Sequence, residues 1–269
     1  MGRGSDLRFE FAFLAEGFFV TGIEIAVPAP EAPRAAPQWR DLILYLLVGG
    51  GGFVVASLIA GRFVEHGSLA VSVLAYALNI LFFAGSVLVI GVARGKLSLR
   101  EMGFIPPRIS VGWAVGAILL SLALLPVRGI IGVIAQYLAN GSLGGMQNRL
   151  DVIAPESFTW VGFLVTLIGA GILVPIAEEM FFRGALFTWF RQRYNFPVAM
   201  FASSLLFALG HFDAIGVVAA SFILALVNAW AFEKSKSLWT PILMHITTNS
   251  FAVLIIYGAL AFAPHALRP

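Results

Sequence analysis

The sequence is poor in charge and has no cysteine at all. The absence of cysteine from the 269 residues excludes disulfides, thiolate metal ligands and a cysteine nucleophile. Charged residues make up 12% of the chain, whereas soluble domains carry about 25%. Apolar residues make up 59%, and the mean hydropathy is +0.92. A soluble fold of this size cannot bury so much apolar surface, so the composition predicts an integral membrane protein.

Apolar stretches of about 20 residues recur from Asp41 onward, and each is long enough to cross a hydrocarbon core of roughly 30 Å. The sequence therefore predicts an all-α fold, a polytopic membrane helix bundle of about seven to eight transmembrane helices. The predicted spans cover residues 42–61, 69–93, 111–136, 158–177, 197–212, 214–232 and 238–262, and the fourth continues to residue 193. The span before residue 212 is short for a full crossing, which predicts a broken or tilted helix there.

Most basic residues lie in the short breaks between apolar runs, where they act as topology signals. Counting alternate breaks places one large group on the same side: Arg40, Arg94, Lys96, Arg100, Arg108, Arg191, Arg193, Lys234 and Lys236. The opposite side has Arg62, Arg149 and Arg268. The richer side is expected to be cytoplasmic, which predicts a protein of the cytoplasmic membrane with its N-terminus inside. Membrane lipid is thus an expected partner, and nucleic acid is not.

The chain divides into three predicted regions. Residues 1–40 mix phenylalanines with glutamates and then run through a Pro/Ala stretch, which predicts an interfacial amphipathic helix and a linker. The alternative is a true membrane span within residues 6–22. No cleavable signal peptide fits this pattern. Residues 41–157 hold the N-terminal spans, and residues 158–262 form the membrane core that carries the motifs below. We find no internal repeat.

Three charged residues lie where the fourth apolar stretch ends, namely Glu178, Glu179 and Arg183. An ionised group near the bilayer centre costs roughly 2.5 to 3.5 kcal/mol, a cost tolerated most easily when the groups pair or do chemistry. Glu179 and Arg183 are four residues apart on a helix and can form an ion pair. Glu178 points about 100° away, which favours it as a general base, since a carboxylate in a low-dielectric cavity is a stronger base than in water. The alternative is a helix end at the cytoplasmic surface with all three groups solvated.

Two histidines and an asparagine also lie in apolar segments. His211 follows Phe207 by four residues, and His245 precedes Asn249 by four, so each pair shares a helix face. A single histidine of this kind is more often a structural partner in a helix interface. Together with the glutamates, however, three consecutive segments supply groups that can activate water and stabilise an oxyanion, while the first three spans supply almost none. This clustering favours a functional site. The remaining histidines are predicted to be surface residues: His66 and His265.

Three motifs therefore follow one another at fixed spacings. They read Glu178-Glu179-Met-Phe-Phe-Arg183, Phe207-Ala-Leu-Gly-His211 and His245-Ile-Thr-Thr-Asn249. This ordered set resembles the CAAX-protease and bacteriocin-processing (CPBP) family of intramembrane peptidases, to which the Rce1-type prenyl-protein endopeptidases belong. The resemblance covers residues 158–262, and the earlier stretch Leu99–Phe104 is similar to one often found ahead of the family's core.

The resemblance implies a glutamate-dependent intramembrane endopeptidase that needs no metal or other cofactor. It makes residues 158–262 the catalytic core and implies a membrane-associated peptide or protein substrate, such as a prenylated tail or a bacteriocin-like peptide. The implied roles are general base for Glu178, water-holding for His211, oxyanion donors for His245 and Asn249, and helix-bracing for Glu179 and Arg183.

Other functions fit parts of the pattern. Two histidines and two glutamates can bind zinc, although the His-Glu-x-x-His signature is absent. A non-catalytic immunity or scaffolding protein could keep the fold, but the intact motifs favour an enzyme. A transporter could use buried charges as an ion path, yet transporters usually show paired repeats and broken helices in both halves.

The predicted site imposes one geometric requirement. At a rise of 1.5 Å per residue, His245 lies only about 10 to 12 Å from the inner surface, whereas Glu178 and His211 lie much deeper. The three can meet only if a helix is broken or a span boundary differs. Pro175 and the short segment before His211 are the expected places, because proline removes a helix hydrogen bond and kinks the axis.

Overall fold

The computed structural model describes residues 37–64, 68–144, 157–212 and 214–263. The interfacial helix and linker predicted for residues 1–40 lie almost wholly outside the described residues. So do residues 6–22, with their alternative interpretation as a span, and two of the histidines expected at the surface: His66 and His265. All regular elements within the described residues are helices, which confirms the predicted all-α membrane bundle.

Seven helices form the bundle in the described part of the chain: α1 Trp39–Ala60, α2 Leu69–Ala93, α3 Val111–Asn140, α4 Trp160–Arg191, α5 Phe196–Leu209, α6 Ile215–Ser235 and α7 Trp239–Phe262. All except α5 are long and apolar enough to cross a membrane, which gives 6 candidate spans. Helix α5 has only 14 residues, or about 21 Å at 1.5 Å per residue. The predicted fifth span is therefore a helix too short to cross.

Polar side chains set the starts of four helices. Ser68, Ser110, Thr159 and Asn195 each accept a hydrogen bond from the backbone N–H three residues later, at the first turns of α2, α3, α4 and α5. Such N-caps satisfy donors that the first helical turn leaves without a partner. The apolar runs therefore begin as helices where the sequence changes from polar to apolar.

Helix α4 is long, continuous and irregular. It contains two π-helical stretches, Leu167–Leu173 and Met180–Phe187, on either side of the α-helical segment Val174–Glu179. Pro175 lies in the first turn of that segment, where its missing N–H is tolerated beside the irregular backbone. The break expected at Pro175 is thus wrong, since the helix runs through it. The required discontinuity is at the other expected place, because α5 ends at Leu209 and His211 lies in the turn that follows.

The bundle packs around α4. Every residue of Met180–Phe187 is buried, and aromatic rings fill the space beside it. Phe83 of α2 lies 4.9 Å from Phe181 between ring centroids, and Phe182 lies 5.0 Å from Phe207 of α5. Helix α3 packs against α6 and α7, whereas α2 packs against α1 and α4. Helix α7 contacts α3, α4 and α6, and so joins the two groups.

One end of the bundle gathers the basic loops. Arg94 lies 3.8 Å from Asp41, and Arg193 donates to the Pro37 carbonyl. On the neighbouring helices, Arg191 pairs with Glu233 at 3.2 Å. These contacts join the α1 start, the α2–α3 loop, the α4–α5 turn and the end of α6, as the charge count predicted.

Candidate active site

Glu179 joins three helices at the centre of the candidate site. Its Oε1 accepts a hydrogen bond from Asn228 Nδ2 of α6 at 2.9 Å and lies 2.9 Å from His245 Nδ1 of α7. Its Oε2 lies 3.1 Å from Arg183 Nε, one turn along α4. The ion pair expected from the spacing is therefore present, and neither side chain has any solvent exposure. Glu179 thus connects α4 with α6 and α7.

Arg183 makes two further contacts across the bundle. Its Nη2 donates to the Ala225 carbonyl of α6 at 2.9 Å, and its guanidinium lies 4.8 Å from the centre of the Phe207 ring. A buried charge is tolerated when it is paired and hydrogen-bonded. The solvated helix end considered for these charges is thus wrong, because Glu178, Glu179 and Arg183 are all buried.

Glu178 faces a different set of groups from Glu179. Its Oε1 accepts a hydrogen bond from Asn79 Nδ2 of α2 at 2.9 Å, and its Oε2 lies 3.7 Å from His245 Nε2. His245 therefore bridges the two glutamates, with Nδ1 toward Glu179 and Nε2 toward Glu178. When Nδ1 donates its proton to Glu179, Nε2 is the nitrogen available to the site.

His211 and Asn249 are held by backbone contacts. The His211 ring lies 5.0 Å from the Phe207 ring, and its Nδ1 lies 3.0 Å from the Phe207 carbonyl. Asn249 Nδ2 donates to the Ala170 carbonyl at 3.1 Å, inside the first π-helical stretch of α4. An amide nitrogen has two hydrogens, so Asn249 keeps one for the site.

All four side chains line one cavity with a volume of about 480 Å³. Its wall includes Glu178, His211, His245 and Asn249. Cavities of roughly 300 to 1,000 Å³ are typical of ligand sites. The geometric requirement for a common site is therefore met. Each of the seven described helices contributes to the cavity wall, and the rest of that wall is mostly apolar.

Sequence reasoning missed the contribution of the first three spans. Tyr76 and Asn79 of α2 and Arg128 of α3 also line the cavity, so the expectation that these spans supply almost no polar groups is wrong. The available signal was a single amide and a single arginine, each in the middle of an apolar run. Asn79 follows Tyr76 by three residues on the same helix face, whereas Arg128 has no polar residue three or four positions away.

The zinc alternative requires three protein ligands around one point. Among the described residues, no group of three or more histidine, aspartate or glutamate side chains has the geometry of a metal site. Both nitrogens of His245 point toward carboxylates, and His211 Nδ1 faces a carbonyl.

The candidate site lies in a segment of the chain that matches a known protein family. Residues 160–251 match the family model described as type II CAAX prenyl endopeptidase Rce1-like. This segment is Rce1-like. The resemblance drawn from the three motifs is thereby confirmed, and the Rce1-like segment contains Glu178, His211, His245 and Asn249.

Curated relatives show the same likeness over part of their length. The chain is 27% identical to "Putative membrane peptidase YdiL" of Bacillus subtilis over 149 residues, which cover 55% of this chain and 57% of that protein. It is 28% identical to "Membrane-embedded CAAX protease MroQ" of Staphylococcus aureus over 167 residues, or 59% of this chain and 62% of that protein. The matched regions thus cover less than two thirds of these relatives. No solved structure matches the chain significantly.

Proposed function

We propose that the protein is an intramembrane glutamate-dependent endopeptidase that hydrolyses a peptide bond of a membrane-associated substrate. The observation that carries the proposal is the single cavity onto which Glu178, His211, His245 and Asn249 converge. The position of this site within the Rce1-like segment supports the same reaction. The relatives' names as membrane peptidase and CAAX protease agree with it.

The reaction begins with a water held between Glu178 and His211 in the cavity. Glu178 takes a proton from this water as its oxygen attacks the scissile carbonyl carbon. In the imidazolium form, His245 donates through Nε2 to the oxyanion while Nδ1 keeps its bond to Glu179. The second N–H of Asn249 donates to the same oxyanion. Donors of this kind contribute roughly 2.7 to 4 kcal/mol each in well-studied hydrolases.

Collapse of the tetrahedral intermediate breaks the carbon–nitrogen bond. Glu178 returns the proton to the leaving amine, so the products are a new carboxyl group and a new amino group, and the glutamate regains its charge. Throughout the reaction Glu179 and Arg183 hold α4, α6 and α7 in register. Prenylated tails and bacteriocin-like peptides are the proposed substrate classes.

The basic end of the bundle is proposed to face the cytoplasm. The loops joined there carry Arg94, Arg191 and Arg193, and positively charged loops are retained on the cytoplasmic side. Single-cysteine labelling at Lys96, in a chain without native cysteine, tests this orientation. Labelling only after the membrane is made permeable supports it, and labelling of intact cells contradicts it.

Cleavage by the purified protein tests the proposed activity. Liposomes containing the wild-type chain are incubated with a library of acylated, membrane-tethered peptides, with and without a strong metal chelator. We expect cleavage that is insensitive to the chelator and introduces one oxygen from labelled water into the new carboxyl group. Chelator-sensitive cleavage would indicate a metallopeptidase, and no cleavage in any lipid composition would favour the non-catalytic role.

Asn79 is expected to orient the base. Replacing Asn79 by leucine removes the hydrogen bond to Glu178 Oε1 and should lower kcat about 10-fold, since a hydrogen bond to a charged group contributes roughly 1.5 to 3 kcal/mol. The matched control is Ser86→Ala, a buried change on the same helix whose hydroxyl donates only to the Phe83 carbonyl. Equal activity in the two variants would remove Asn79 from the mechanism.

A further inference from the structure

Arg128 is a cation in the middle of a membrane-spanning helix. It lies well inside α3, which runs from Val111 to Asn140. Its Nε donates to the Ala220 carbonyl of α6 at 3.0 Å. Its Nη1 is buried and makes no hydrogen bond with any part of the chain that the structure describes. The guanidinium is thus anchored at one edge and keeps donor capacity at the other.

Arg183, which is fully buried, has a carboxylate partner that Arg128 lacks, although a guanidinium nitrogen of each is buried without a hydrogen bond. Arg183 has a carboxylate 3.1 Å from its Nε. Within the described residues, no aspartate or glutamate lies at ion-pair distance from Arg128. Charged side chains inside membranes are expensive, and they usually pair or mark a substrate path. A guanidinium held in this way is suited to an anion that enters from outside the chain.

Arg128 lines the same cavity as Glu178 and His245. We infer that Arg128 binds a carboxylate of the peptide substrate while the scissile bond lies over Glu178. This inference rests on the proposed peptidase function and extends it to substrate specificity. The planar guanidinium fork matches a carboxylate in two parallel hydrogen bonds. The carboxylate belongs either to the peptide's C-terminus or to an acidic side chain near the scissile bond.

The apolar cavity wall favours a peptide carboxylate over a lipid headgroup. Phosphate-bearing headgroups are usually bound by clusters of lysine and arginine near the membrane surface. Among the described residues lining this cavity, Arg128 is the sole lysine or arginine. The apolar lining of the cavity includes Val217, Leu224 and Val253, which suit the side chains of a peptide segment that ends in, or contains, one anion.

Binding measurements test the inference independently of turnover. The probes are three acylated peptide libraries built on one common sequence that has no acidic residue. The first has a free C-terminal carboxylate, the second has a C-terminal amide, and the third has the amide and a single added aspartate. Binding to the Glu178→Gln protein in nanodiscs of neutral lipid is measured first. We expect the free acid or the aspartate library to bind roughly 10- to 100-fold more tightly than the plain amide. Which of the two binds better identifies the source of the carboxylate.

Substitution of Arg128 should remove this preference. Arg128→Gln, made in the Glu178→Gln protein, can still donate to the Ala220 carbonyl and is expected to bind acid and amide equally. Arg128→Lys keeps the charge without the fork and should retain part of the preference. The matched control is Gln136→Met. Gln136 also joins α3 to α6, by accepting a hydrogen bond from Gly216 N at 3.0 Å, but it does not line the cavity. This control should keep the full preference.

The outcomes separate the inference from the proposed function. Equal binding of acid and amide by the Glu178→Gln protein, or no binding of any library, overturns the carboxylate role. So does a loss of preference in Gln136→Met as large as in Arg128→Gln, since that result assigns the effect to loosened α3–α6 packing. Displacement by anionic lipid but not by acidic peptides would make Arg128 a lipid site. A clear acid preference without cleavage by the wild type would support the inference and contradict the peptidase.

Discussion

Replacing Glu178 by glutamine is expected to lower kcat/KM for peptide cleavage by roughly 100- to 10,000-fold, the range that general-base catalysis contributes. Glutamine has nearly the same shape and can still accept the hydrogen bond from Asn79 Nδ2. It has no charge with which to take a proton from water. The thermal unfolding midpoint in detergent should therefore change little while cleavage is lost. Cleavage of a tethered peptide and unfolding of the same preparation provide the two measurements.

Two further variants test whether the loss of activity is specific to Glu178 or follows from the loss of any glutamate. Glu233→Gln removes a carboxylate that pairs with Arg191 and Lys236 at the basic end of the bundle, and it should cleave as the wild type does. Glu179→Gln should also lose activity, but with a lower unfolding midpoint, because Glu179 holds Arg183 and His245. Full activity in Glu178→Gln with a stable but inactive Glu179→Gln would exchange the roles of the two glutamates.

Replacing Arg183 by methionine should produce the largest loss of stability in the chain. It leaves the Glu179 carboxylate buried without its cation, and breaking one partner out of a buried ion pair costs about 3 to 5 kcal/mol. The double variant Glu179→Gln, Arg183→Met removes both charges of this pair together. Its free energy of unfolding should therefore lie closer to that of the wild type than the sum of the single changes predicts. Denaturant titration in mild detergent measures all four proteins.

A solvent-exposed ion pair provides the comparison for these four proteins. Arg191→Met removes the partner of Glu233 at the basic end, where the arginine side chain is 40% exposed. Ion pairs of this kind contribute roughly 0 to 1 kcal/mol, so the change should be small. Two results would contradict this expectation. One is that the losses of unfolding free energy from Glu179→Gln and Arg183→Met simply add in the double variant. The other is that Arg191→Met loses as much unfolding free energy as Arg183→Met.

Parts of the candidate site's geometry could be predicted from sequence, where charge and helical spacing coincide. Glu179 and Arg183 are four residues apart and form the expected pair. His245 and Asn249 share a helix face and both reach the cavity. Span boundaries could be placed for the same reason, since each helix coincides with an apolar run.

The contacts between distant helices could not be predicted in this way. Asn79 is 99 residues from Glu178 in sequence, and Arg128 is 92 residues from Ala220. Helical spacing shows which face of its own helix a polar residue shares, as with Tyr76 and Asn79. Its partner on another helix follows only from packing. The depth of His211 in the membrane could not be predicted from the helical rise per residue either, because it depends on α5 ending at Leu209 after 14 residues.

The π-helical stretch Leu167–Leu173 limits how the length of α4 can vary in evolution. Its carbonyls at Ala170 and Gly171 accept hydrogen bonds from Asn249 and Ser250 of α7, which locks α4 and α7 together just before Glu178. Loss of one residue from a helix turns everything beyond it by about 100°. A deletion between Val174 and Ala177, in the α-helical segment that follows these contacts, would leave all three motifs unchanged and still turn Glu178 away from the cavity. Homologues that share this site are therefore expected to conserve the number of residues between positions 170 and 178, even where the residues themselves differ.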